Sequence, residues 1–413
     1  MIFFVYASFF MFSFASAQEV PFRLGIENIS TDFQKRLNLN KPNLNYALIT
    51  NHTGKNLKGQ HTIDILRSRG FTIAYLLAPE HGICGTVAAE KDVFHSYDTA
   101  TKTPVISLYG NGSGKGLTQE IINQLDGFIF DIQDVGMRHY TYVSTLLRML
   151  QTASTNKKLF IVLDRPNILG GRMEGPLVSD AILERKSFIA AAPIPLRHGM
   201  TVGELARYFN KYVLAAPATL YVVPMTGYTR QNLLPDTLIY NLSPNIINKQ
   251  ACYGYSFLGL LGEVRPFDVG IGTQTPFARI GIANMHGTTQ GKLGVLRMQL
   301  ARSGIATQLC TYFNQRKKKH HHGLSVHIDN VHAVSSFNGF LCVLNFFKDS
   351  GVVLEFSPYF DHAVGTDVVR RYIQGQMSYA QLKKEINETL EQFFYKARAI
   401  FIYNPWPTLA LIE

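Results

Sequence analysis

The sequence predicts an α/β protein: a Rossmann-like, doubly wound N-terminal domain followed by a smaller, mixed α/β C-terminal domain. Three observations carry this. Short apolar runs alternate with amphipathic segments through the first half, the pattern of buried parallel strands and their covering helices. Five of these runs end in clusters of polar, chemically capable residues, as expected at the carboxyl edge of an open parallel sheet, where ligands bind. Finally, 413 residues with 46% hydrophobic content exceed one typical core and supply material for two.

Residues 2–14 are almost wholly apolar and lead into Ala15-Ser16-Ala17, a small-x-small cleavage pattern. This predicts a signal peptide over 1–17, although no Lys or Arg precedes the apolar stretch. No later segment is long and apolar enough to cross a bilayer. The expectation is an exported protein, periplasmic or secreted, with no stable membrane span after signal removal.

The first domain is expected over 22–214. Its strands run at 46–50 into Asn51, at 72–78 into Pro79-Glu80-His81-Gly82, and at 105–108 into Tyr109-Gly110. Two more run at 127–130 into Asp131-Ile132-Gln133-Asp134 and at 159–163 into Asp164-Arg165-Pro166-Asn167. Helices are expected over 61–69, 118–125, 141–155 and 201–213, the last opened by a capping box from Thr201 to Glu204. After the Pro- and Asn-rich stretch 234–248 the pattern changes. The second domain, 215–413, is expected to close the cleft with helices at 289–302 and 374–398 and strands at 324–328, 340–347 and 352–356.

Lys and Arg outnumber Asp and Glu by 40 to 29, a net charge of +11 that favours an anionic partner. The basic residues are scattered and form no recognition helix, so no nucleic acid is expected. Cys84, Cys252, Cys310 and Cys342 form no C-x-x-C pair, so zinc is not indicated, and most should behave as small apolar residues. Neither a G-x-S-x-G elbow nor a G-x-G-x-x-G after the first strand is present. A serine hydrolase and a nicotinamide enzyme lack their fingerprints, and no cofactor is expected. The glycine-rich stretch 110–116 fails the Walker spacing and reads as a surface loop, and the basic tract 316–322 as a solvated loop between two elements.

Glu80 carries the sharpest signal. A carboxylate at a strand end, beside His81 and between Pro and Gly, can be held rigidly, and partial burial suits a general acid. The competing reading is a loop carboxylate bonding nearby amides. Asp131 and Asp134 could act as a base, a transition-state stabiliser or half a metal site, or else cap the following turn. Arg138 offers a bidentate fork for a carboxylate, and Tyr140 and Tyr142 offer faces and hydroxyls for a sugar. Asp164 with Arg165 is either an anion-binding pair or an internal brace. Asn51, Tyr109, Glu174, Arg197 and His198 extend the same set, and in the second half Glu263 opens a polar loop, through Gly272-Thr273, expected to reach over the cleft.

At these residues the chain resembles the exo-acting β-N-acetylmuramidases, glycoside hydrolases long catalogued as a bacterial domain of unknown function. The resemblance spans nearly the whole mature chain. It rests on Leu48-Ile-Thr-Asn51, Ala78-Pro-Glu-His-Gly82, Ser107-Leu-Tyr-Gly110, Phe130-Asp-Ile-Gln-Asp-Val-Gly136, Val162-Leu-Asp-Arg-Pro-Asn167, Glu174-Gly-Pro176, Arg197-His-Gly-Met-Thr-Val-Gly-Glu204 and Ser243-Pro-Asn245. It implies a cleft between two domains and removal of N-acetylmuramic acid from non-reducing ends of peptidoglycan strands or muropeptide-derived glycan. It also implies Glu80 as the catalytic acid. The second catalytic role falls to Asp131, Asp134, Glu174, Glu263 or the substrate's own acetamido group. Arg138, Arg165 and Arg197 are the candidates to meet the lactyl carboxylate. Three positions depart from the family: Cys84 where Arg is frequent, Ile168 in place of a Pro, and Lys102-Thr103 in place of Gly-Leu. Two alternatives stand beside this reading: a non-catalytic wall-binding protein that retains the cleft, and a metal-dependent hydrolase using Asp131 and Asp134.

Overall fold

A computed structural model describes residues 20–30, 33, 37, 44–89, 91–110, 116–232 and 234–412. The expected signal peptide and most of the glycine-rich stretch 110–116 lie outside the described residues.

The first half builds strands β1 (Asn45–Thr50), β2 (Thr72–Ala78), β3 (Ser96–Asp98), β4 (Thr103–Ser107), β5 (Gly127–Asp131) and β6 (Leu159–Leu163). Short strands β7 (Arg172–Glu174) and β8 (Arg197–His198) and then β9 (Thr219–Val223) follow. Seven strands form one sheet in the order β3-β4-β2-β1-β5-β6-β9, parallel except for the edge strand β3. The inner strands are buried along nearly their whole length, which explains their continuous Ile, Leu, Val and Phe content. Chain order reverses between β1 and β5, where Thr50 stands opposite Asp131. That reversal is the switch point at which an open sheet leaves a crevice.

Helices Thr62–Ser68, Gln119–Gln124, Tyr142–Thr155 and Val202–Tyr212 cover the sheet close to the expected positions. The capping box at Thr201 forms as its spacing predicts. Lys102 takes a φ of 52°, the left-handed backbone that a glycine adopts without strain.

The second half continues with β10 (Val264–Arg265), β11 (Phe267–Asp268), β12 (Arg279–Ile282), β13 (Ala306–Asn314) and β14 (Lys319–His327). The last four make an antiparallel sheet, β11-β12-β14-β13. Helices Lys249–Leu261 and Gly287–Arg302 pack against it, Ser336–Asp349 packs on both, and Tyr379–Ala397 sets Phe393 against Tyr208 of the first half.

Three expectations need correction here. The strand expected at 340–347 lies inside the helix Ser336–Asp349. Phe337, Phe340, Leu341 and Leu344 are all buried at helical spacing, a period hidden inside a window only eight residues long. The strand expected at 352–356 is reduced to Glu355–Phe356, paired with β10. The basic tract 316–322 is not simply a loop: residues 319–322 open β14, and Asn314 pairs with Lys319 across the hairpin. The helix Lys249–Leu261 and strand β13 were not anticipated.

The chain finally returns to the first half. Thr408–Ala410 pairs in parallel with β7, and Tyr403 donates its hydroxyl proton to Asp164 Oδ2 at 2.6 Å. The two halves share a continuous apolar core.

Candidate active site

A cleft of about 660 Å³ opens beyond the carboxyl edge of the sheet. The first half contributes Glu80, His81, Tyr109, Tyr140 and Thr141, and the second contributes Asn245, Tyr255, Glu263, Phe277 and Tyr359.

Glu80 leaves the end of β2 and is 6% exposed. Thr141, at the mouth of the helix Tyr142–Thr155, donates from Oγ1 to Glu80 Oε2 at 2.6 Å. The turn behind it is tight. His81 has a φ of 68° and Gly82 one of 75°, and His81 Nδ1 lies 2.7 Å from the Val87 carbonyl. A non-glycine residue in left-handed backbone next to the central carboxylate is a strained position of the kind that gathers at functional sites.

Glu263 lines the cleft from the second half, where the Ser357 hydroxyl donates to its Oε2. Tyr255 lies in the field of both carboxylates. Its pKa is held well above the ordinary value by burial first, then by the charges of Glu80, Asp134 and Glu263. Tyr140 faces the cleft and donates to the Leu242 carbonyl at 2.9 Å, and Tyr109 packs edge-on to Phe188 at 5.4 Å.

His139, which no motif in the sequence singles out, also belongs to this wall. It is buried against Tyr255, with ring centroids 4.8 Å apart, and neither ring nitrogen has a hydrogen-bond partner among the described residues. Burial, and secondarily the charge of Arg138, lower its pKa to about 3, so the ring stays neutral. Gly259 makes room for it, since a Cβ there would stand 2.7 Å from His139 Nε2. The only signal in the sequence was a polar residue between two others already noted.

Several expected site residues lie beneath the cleft instead of on its wall. Asn51 donates to the Tyr142 hydroxyl at 2.9 Å and accepts from Thr53, forming a buried support under Tyr140. Asp131 is fully buried. Arg165 Nε reaches its Oδ1 at 2.5 Å and Nη2 its Oδ2 at 2.9 Å, while Thr62 donates to Oδ2 as well. Asp134 accepts from the Gly136 amide at 2.6 Å and stands 3.2 Å from His198 Nε2. Asp164 accepts from Thr201, Gly203 and Tyr403, yet burial pushes its pKa up to about 7. Glu174 is paired with Arg197 at 2.8 Å and accepts from the Phe337 amide.

The expectation that Arg138, Arg165 or Arg197 meets a substrate carboxylate is corrected by their geometry. Arg138 spends its two terminal nitrogens on the carbonyls of Pro176, Ile194, Ala363 and Val364. Arg197 binds Glu174 and the carbonyls of Leu169, Val331 and Val334. Arg165 adds the Lys55 carbonyl to its pairing with Asp131. Each guanidinium is buried and fastens loops together, although Arg165 Nη1 and the Nε of Arg138 and Arg197 have no hydrogen-bond partner among the described residues.

The metal alternative loses its ligands by the same reasoning, because Asp131 is occupied by Arg165. Among the described residues no group of three or more His, Cys, Asp or Glu could hold an ion. Cys84 is exposed, Cys252 buried, and Cys310 and Cys342 half-buried, all as free thiols. Only Cys252 is thus a fully buried small residue.

A cleft with one carboxylate on each wall, aromatic faces and a neutral imidazole fits glycosidic bond cleavage, where one carboxyl protonates the leaving oxygen and a second group supports the developing cation. Comparison with known proteins agrees with this chemistry. Residues 46–250 match the model of the N-terminal domain of the exo-beta-N-acetylmuramidase NamZ, and residues 253–403 that of its C-terminal domain. The chain is 31% identical to the peptidoglycan beta-N-acetylmuramidase NamZ of Bacillus subtilis (strain 168), over 94% of this chain and 93% of the relative. Two DUF1343 family crystal structures from Bacteroides fragilis NCTC 9343 share the fold. One has a TM-score of 0.79 at 28% identity, covering 94% of this chain and 99% of that one. The other has a TM-score of 0.71 at 26% identity, covering 93% and 99%.

Proposed function

We propose a reaction for this chain from the premise that it belongs to the NamZ family of exo-beta-N-acetylmuramidases and is therefore a glycoside hydrolase. It acts on peptidoglycan, and it removes N-acetylmuramic acid from the non-reducing ends of glycan strands or their fragments. The observation that carries the reading is the Thr141-anchored Glu80 in a cleft whose opposite wall presents Glu263.

Glu80 protonates the departing glycosidic oxygen. Its fixed orientation supplies the alignment that proton transfer in the transition state requires. Glu263 is the one member of the expected set Asp131, Asp134, Glu174 and Glu263 that lines the cleft, so it takes the supporting role. It either stabilises the oxocarbenium-like centre or orients the substrate's acetamido group toward it. Tyr109, Tyr140 and Tyr255 frame the sugar, backed by the buried, neutral ring of His139.

Export is part of the proposal, motivated by the apolar stretch and the Ala15-Ser16-Ala17 pattern at the start of the chain. No helix among the described residues is long and apolar enough to cross a membrane.

The test is to give the chain lacking residues 1–17 a chromogenic β-muramide, the matching β-glucosaminide and end-labelled glycan strands, all with EDTA, beside Glu80→Gln. Release from the muramide alone, as monosaccharide from strands and lost in the variant, supports the reading. Internal cuts yielding oligosaccharides would remove the exo assignment, and silence of a folded enzyme on every substrate would remove the function.

A further inference from the structure

The proposed substrate carries a lactyl carboxylate, yet no Arg or Lys lines the main cleft among the described residues. The three arginines expected to fill that role are sealed inside. Any cation that meets this carboxylate comes from outside that lining.

A second cavity of about 240 Å³ adjoins the cleft, and Phe188 lines both. Its wall includes Ser107, Thr145, Arg148 and Thr152. The Arg148 guanidinium stands 4.1 Å above the Phe188 ring, and no carboxylate pairs with it among the described residues. Phe188 is itself tied to the same helix, because the Ser144 hydroxyl donates to its carbonyl.

The register of that helix links the cavity to the chemistry. Thr141, Thr145, Arg148 and Thr152 follow one another at spacings of four, three and four residues, so they share one face. Thr141 holds Glu80, and Arg148 begins seven residues further on, a rise of about 10 Å. Helical side chains lean toward the N-terminus, which brings the guanidinium back toward Thr141 and Glu80. The aromatic face beneath it shields one side from water and strengthens its attraction for an anion.

We propose that Arg148 and its cavity form the anion subsite of the cleft, taking the lactyl carboxylate of the muramoyl residue while Phe188 divides that substituent from the sugar ring. The inference rests on the substrate class proposed above and assigns a specificity-determining residue within it. Arg148 acts on binding and sugar choice and takes no part in bond cleavage.

The experiment compares wild type, Arg148→Gln, Arg148→Lys and Arg185→Gln on a chromogenic β-muramide and its lactyl methyl ester. Arg185→Gln removes a positive charge from a neighbouring exposed segment and controls for net charge. For the acid substrate KM should rise roughly ten- to hundred-fold in Arg148→Gln, the strength of a lost bidentate contact. The wild type should lose the same factor on the ester, where the variant loses nothing more. Arg148→Lys should recover part of the loss, since it keeps the charge without the fork. Equal loss on acid and ester in Arg148→Gln, or an equal loss in Arg185→Gln, would overturn the subsite.

Calorimetry separates this inference from the proposed activity. If the wild type hydrolyses neither compound, the activity fails, and titration with N-acetylmuramic acid and N-acetylglucosamine still decides the subsite. Preference for the muramic acid in wild type but not in Arg148→Gln supports it, and absence of that preference in wild type overturns it.

Discussion

Thr141 donates a 2.6 Å hydrogen bond to Glu80 across 61 positions of sequence, joining the loop after β2 to the helix after β5. Two strand ends that flank β1 thus share one contact, and the carboxylate's orientation depends on a hydroxyl contributed by a different loop.

Removing that hydroxyl should slow the chemistry more than it weakens binding. Thr141→Val is expected to lower kcat on a muramide by on the order of ten- to hundred-fold, with KM near the wild-type value and activity regained in Thr141→Ser. Glu80→Gln should lose about a hundred-fold or more, the contribution of a positioned general acid. Steady-state kinetics on folded protein decides it, and a Thr141→Val enzyme with unaltered kcat would refute the contact's role.

Glu263→Gln should also reduce kcat, by about a hundred-fold, because it replaces the second carboxylate of the cleft while preserving its shape. Ser357→Ala should give a smaller decrease in the same direction, since Ser357 only orients the carboxylate. Full activity in Glu263→Gln would leave the second role to another group.

His139 makes stability depend on pH. Its pKa is 6.5 in an unperturbed setting and about 3 here, lowered by burial and then by Arg138. Between these values the unfolded chain binds a proton that the folded chain does not. Its contribution is therefore fully present above pH 6.5 and is lost as pH falls toward 3, by about 1.4 kcal/mol per unit. Urea unfolding of wild type and His139→Asn between pH 4 and 7 should show a shallower slope in the variant, whereas parallel curves would contradict this account.

Arg165 should behave as a structural residue. Arg165→Met leaves Asp131 buried and unpaired and is expected to cost about 3–5 kcal/mol of stability, with much of it returned in Arg165→Met/Asp131→Leu. Denaturant unfolding of the single and double variants measures this. A stable Arg165→Met enzyme that had lost its muramide preference would restore the substrate-binding assignment made from sequence.

The sequence by itself determined the α/β class, the five strands that end in polar clusters and the prominence of Glu80. Apolar runs of strand length leave few ways to be buried, and the carboxyl edge of a parallel sheet gathers whatever polar residues follow them. It also carried the family motifs, because these are local strings. It did not determine which polar residues face the cleft. Arg138, Arg165 and Arg197 follow or flank strands just as Glu80 does, yet carbonyls and carboxylates from distant segments enclose them. His139 and Arg148 were unmarked in the sequence because their exposure to the cavities depends on Gly259, Tyr255 and Phe188, contributed from elsewhere in the chain. The type of a side chain is written locally, but the partners that consume or free its hydrogen-bonding groups arrive only on folding, and those partners separate a structural arginine from one available to a ligand.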